Sequence, residues 1–110
     1  MRQYTTPKQT AKLIELGVMP EVRIKGVRTV NSKVAIDHDY NFTIGELIKL
    51  LPENVAKQDK IPSTLNISLM NGEWCVQYAD FLGTDFEFCN TELVDALYDM
   101  CVKLKEKGII

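Results

Sequence analysis

The dipeptide Asn71-Gly72 constrains this chain more than any other feature of its sequence. A two-residue type I′ hairpin turn needs positive φ at both central positions, and Asn-Gly supplies it at least cost. With the turn placed, the register follows by arithmetic. Leu69 then faces Trp74, Ile67 faces Val76 and Leu65 faces Tyr78, while Met70 with Glu73, Ser68 with Cys75 and Asn66 with Gln77 take the other face. One face is wholly apolar and the other mostly polar, so turn chemistry and face pattern agree on an antiparallel hairpin with a covered side.

Helices flank this hairpin on both sides in sequence. Thr6 caps a first helix ending near Gly17, with Pro7 at its first position, Gln9 completing a Thr-x-x-Gln capping box, and Ala11, Leu13, Ile14 and Leu16 as its apolar face. Thr43 and Glu46 form a second capping box, and Ile44, Leu47, Ile48 and Leu51 follow at helical spacing up to Pro52. The longest helix is predicted from about Thr91 to Lys107. Asn90 or Thr91 is its cap, and Leu93, Leu97, Met100, Cys101 and Leu104 form its buried stripe. This helix is expected to cover the apolar face of the hairpin and bury Trp74.

Between the first two helices, β-branched residues alternate with basic ones from Glu21 to Asp37, which is a strand pattern. A turn at Asn31-Ser32 sets Thr29 opposite Val34 and Val27 opposite Ile36. A turn at Lys25-Gly26 would instead set Arg23 against Arg28, two like charges, so the first register is preferred. The segment from Glu53 to Thr64 is polar, contains Pro62 and reads as a surface loop. Phe86 and Phe88 alternate with Asp85, Glu87 and Cys89 as a further strand, an edge one, after a turn at Gly83. The order α-β-β-α-β-β-(β)-α predicts an α+β fold in which helices pack on one face of an antiparallel sheet of four or five strands. At 110 residues the chain is read as a single compact domain, residues 1–110.

Three cysteines, Cys75, Cys89 and Cys101, form no CxxC pair, and the N-terminal residues lack the apolar run of a signal peptide. These features predict a soluble cytoplasmic protein with three reduced thiols, Cys101 in the core. Neither a metal nor a cofactor is expected. The thiols and His38 lack ligand spacing, and the six glycines are too scattered for a phosphate loop.

Candidate catalytic groups are sparse. Cys75, His38 and an acid can be imagined as nucleophile, base and orienting group, but nothing in their spacing supports it, and His38 sits in the polar connection Asp37-His38-Asp39. Glu92, Asp95 and Asp99 share a helical face. Here the helix N-terminus favours the first two, and Asp99 with Lys103 makes an i, i+4 pair, so a solvated face is preferred to a carboxylate site. No catalytic residue is assigned and the chain is read as a non-enzyme.

One asymmetry goes beyond what a stable fold needs. Residues 1–36 hold seven Lys or Arg against two Glu, a balance of +5, whereas residues 37–110 hold six against thirteen acids, a balance of -7. Arg23, Lys25, Arg28 and Lys33, on the first hairpin, are therefore the candidate partner-binding residues. They share a surface only with a bulge near Gly26 or with contributions from both strands. Their partner is expected to be an acidic protein or a second copy of this chain, with nucleic acid as the alternative and no membrane involved. No aromatic residue is interleaved with them to stack on bases.

The chain resembles a family of small uncharacterised bacterial proteins carried by prophages and other mobile elements. The likeness runs through Thr6-Pro7-Lys8-Gln9, Leu13-Ile14-Glu15-Leu16-Gly17, Thr43-Ile44-Gly45-Glu46-Leu47-Ile48, Trp74-Cys75-Val76-Gln77-Tyr78 and Ala96-Leu97-Tyr98-Asp99-Met100. Residues 18 to 42 depart from it. The resemblance implies an accessory or assembly role and no catalytic site. The expected function is thus that of a cytoplasmic protein-interaction or accessory module.

Overall fold

The computed structural model describes residues 1–20, 23–57 and 60–110, without the side chains of residues 23–25, 35–39, 57 and 60. The architecture is α+β, with a helix at each end. In chain order the elements are α1 (Pro7–Glu15), β1 (Arg23–Val30), β2 (Lys33–Asp39), α2 (Ile44–Leu50), β3 (Asn54–Lys57), β4 (Lys60–Met70), β5 (Glu73–Asp80), β6 (Gly83–Asn90) and α3 (Leu93–Glu106). They build two antiparallel sheets, a β1-β2 ribbon and a four-stranded sheet ordered β3-β4-β5-β6.

The central hairpin forms in the expected register. Leu65 pairs with Tyr78, Ile67 with Val76 and Leu69 with Trp74, and both turn residues have positive φ, 52° at Asn71 and 79° at Gly72. α3 lies on the apolar face, over β5 and β6, and α2 packs against α3. Val76, Tyr78, Val94, Leu97, Met100, Cys101 and Leu104 are fully buried between these layers. Tyr78 Oη donates to the Pro52 carbonyl at 2.7 Å, which satisfies the one polar atom that this ring takes inside.

Trp74 departs from expectation. It is only partly buried, because α3 covers β5 and β6 while the strand beside Trp74 at this end, β4, leaves Leu69 exposed. The segment from Glu53 to Thr64 is also corrected: apart from residues 58 and 59, outside the described residues, it is largely β3 and the start of β4. Val55 pairs with Ser63 and is buried, and a register shift between Val55 and Lys57 falls across from Pro62. Proline donates no ladder hydrogen bond, so an irregularity is where a strand tolerates it.

Both predicted capping boxes are present, Thr6 with Gln9 and Thr43 with Glu46. The face of α1 is narrower than its sequence suggests, since Leu13 and Thr10 are buried while Ala11 and Ile14 are exposed. α3 has Glu92 at its N-cap without a side-chain cap bond; Asn90 instead accepts from the Glu92 amide at 2.9 Å.

The β1-β2 ribbon is not part of the main sheet. Val18 and Phe42, both buried, anchor the chain on either side of it, and Phe42 and Thr5 exchange hydrogen bonds of 2.9 Å in both directions. Beyond that base it projects as an arm. The radius of gyration, 16.9 Å, exceeds the roughly 13 Å of a compact chain of this length, and the longest dimension is 63 Å.

Candidate functional site

The arm carries the basic residues singled out above, and its register decides which of them share a face. Thr29 pairs with Val34 and Val27 with Ile36 across the Asn31-Ser32 turn, as expected, and both turn residues have positive φ, 49° and 63°. A bulge lies between Ile24 and Gly26, one of the two arrangements by which the basic residues can share a face. It moves Arg23 opposite Asp39 and Gly26 opposite Asp37, while Arg28 pairs with Ala35 and Val30 with Lys33. In an antiparallel pair, opposed residues lie on one face. Ladder positions 23, 28 and 33 therefore share a face. The side chains of Arg23 and Lys25 lie outside the described residues; those of Arg28 and Lys33 are exposed.

The other face of the arm is aliphatic. Val27 is 65% exposed and Val34 72%, and Thr29, opposite Val34, is exposed as well. Every described side chain from Val27 to Val34 is exposed, so this stretch has a row of β-branched residues without a core beneath it.

The carboxylates of α3 have a structural use that the sequence does not announce. Asp95 pairs with the Arg2 guanidinium and accepts from Gln9 Nε2 at 2.7 Å, while Glu92 accepts from the Arg2 amide at 2.9 Å. They tie the N-terminal segment and α1 to α3. Burial, and next the charge of Asp95, push the Asp99 carboxyl above its ordinary range.

The cysteines require a correction. Cys75 and Cys89 are directly opposed on β5 and β6, with 4.1 Å between their Cα atoms, and they are joined in a disulfide. Cys101 remains a free thiol in the core, where burial pushes it up to about 12. The imagined nucleophile is thus bonded to another sulfur, and the side chain of His38 lies outside the described residues. Alternation along the two strands does not reveal this pairing, because the β5-β6 register shifts between Tyr78 and Ala79. Glu87 stands two residues before Cys89, and Cys89 Sγ lies 3.2 Å from its Oε1.

At the far end of the sheet the β5-β6 turn is held by Asp80, whose Oδ1 accepts from the amides of Leu82 and Gly83 at 2.8 and 3.0 Å. Phe81 and Leu82 are exposed there, at 78% and 80%. Among the described residues no helix is long and apolar enough to cross a membrane. Comparison with protein-family models, curated proteins and solved structures gives no match.

Proposed function

We propose that this protein is a binding module that works without catalysis and presents the β1-β2 arm to an acidic protein partner. The observation that carries this reading is the exposure of the arm from Val27 to Val34, with Val27, Thr29 and Val34 on one face and Arg28 and Lys33 beside Val30 on the other. A two-stranded ribbon is marginal in water unless something covers it. A protein surface with an apolar strip bordered by carboxylates offers cover to the valines and counter-charges to Arg28 and Lys33. The charge split favours a second copy of this chain as that partner, since residues 37–110 carry the acidic excess. The resemblance to mobile-element proteins supports an accessory or assembly role, which we place in the cytoplasm. In that compartment the Cys75-Cys89 disulfide would be open to reduction.

Sedimentation of the native chain and of a Val27→Asp/Val34→Asp variant at low and high salt tests the reading. The native chain is expected to sediment as a dimer and the variant as a folded monomer. A native chain that stays monomeric, or a variant that still dimerises, overturns self-association through the arm. The second reading is nucleic-acid binding, favoured by the ribbon shape, because the DNA major groove admits a two-stranded ribbon. A gel shift that weakens steeply with salt would select it.

A further inference from the structure

We propose that Cys75, Cys89 and Glu87, once the disulfide is reduced, form a binding site for a single thiophilic divalent cation of the zinc class. The candidate ligand atoms, two sulfurs and a carboxylate oxygen, all lie within 4.8 Å of one another. They come from adjacent strands whose register is held by the ladder, so the donors are placed before any ion arrives. Two thiolates at zinc-sulfur distance on a tetrahedral ion stand about 3.8 Å apart. Residues as close as Cys75 and Cys89 reach that spacing by rotation about their Cα–Cβ bonds, with the strands in place.

The donor set selects the ion. Soft sulfur disfavours magnesium and calcium, which take oxygen ligands, and suits zinc. Three protein donors leave a fourth position for water, to which Glu87 and Cys89 are exposed. The surrounding face favours a cation too. Ser68 lies opposite Cys75, Glu73 and Gln77 flank it along β5, and residues 66–70, 73–77 and 87–89 contain no Lys or Arg.

Oxidation and metal binding exclude each other, because a disulfide sulfur has no thiolate to donate. A dithiol reductant opens the bond by delivering two electrons and two protons, giving two thiols while it becomes a disulfide itself. The entering ion then displaces both thiol protons to solvent. Buried Cys101 takes no part.

The experiment uses the full chain, reduced with a trialkylphosphine, desalted without oxygen and titrated with Co²⁺. The phosphine supplies the two electrons and takes its oxygen from water. The expected result is one equivalent of Co²⁺ bound with a thiolate-to-cobalt charge-transfer band, displaced by Zn²⁺, and no band from the oxidised chain. Cys75→Ser and Cys89→Ser should each abolish the band, and Glu87→Gln should weaken binding by about tenfold or more. Circular dichroism verifies that each reduced protein stays folded. A reduced chain that unfolds, one that gives no band at stoichiometric Co²⁺, or a band that survives the double serine variant overturns the proposal and leaves the pair as a cross-link.

Discussion

Replacing Tyr78 by Phe removes one oxygen from the centre of the core and should change how stability depends on pH. At neutral pH the variant loses the hydrogen bond from Tyr78 Oη to the Pro52 carbonyl, at a cost of about 0.5 to 1.5 kcal/mol. Burial, with a smaller contribution from Cys101, pushes the Tyr78 phenol up from 10.0 to about 12. Because the folded pKa lies above the unfolded one, this term is fully present below pH 10 and is lost as pH rises through 10 toward 12. By about pH 11 the unfolded phenol is mostly ionised and the folded one is not, which costs the native protein about 1.4 kcal/mol that the variant does not lose. The two stabilities should therefore converge near that pH. Urea unfolding followed by the fluorescence of the single tryptophan measures both curves. A stability difference that stays constant from neutral pH to about pH 11 would refute the burial argument.

Three further outcomes follow from where side chains sit. Leu97→Ala empties a fully buried position under α3 and should cost about 2 to 5 kcal/mol in urea unfolding. Trp74→Ala should cost less than the roughly 3 to 5 kcal/mol of a fully buried aromatic, because Trp74 is only partly covered; a loss in that full range would place it in the core. Val27→Asp with Val34→Asp should change monomer stability by no more than about 1 kcal/mol, since both side chains are exposed on the arm; a much larger loss at low protein concentration would mean the arm belongs to the core.

The features that followed from the sequence alone are those written in neighbouring residues. Asn71-Gly72 determined its own turn and hence seven pairings of β4 with β5. Thr6 with Gln9 and Thr43 with Glu46 marked where two helices begin, and a stripe with period near four marked the buried face of α3. In each case the signal is local, a turn, a cap or a helical repeat, so residue identity carries it directly.

What tertiary structure decided involves groups that sequence order keeps apart. Asn54 to Lys57 has little strand character of its own and becomes β3 because β4 offers a ladder and Val55 finds a core. The basic residues could be listed from the sequence, but only the bulge at Ile24/Gly26 sets ladder positions 23, 28 and 33 on one face. Cys75 meets Cys89 through a shifted register, and Arg2 reaches Asp95 across most of the chain. The first hairpin has the same alternating pattern whether it lies in a sheet or projects from one, since alternation specifies two faces and leaves open what covers them. Coverage of the main sheet depends on how far α3 extends over the strands, and this is why Val76 is sealed while Leu69 meets water; the valines of the arm are exposed because the ribbon lies outside that sheet.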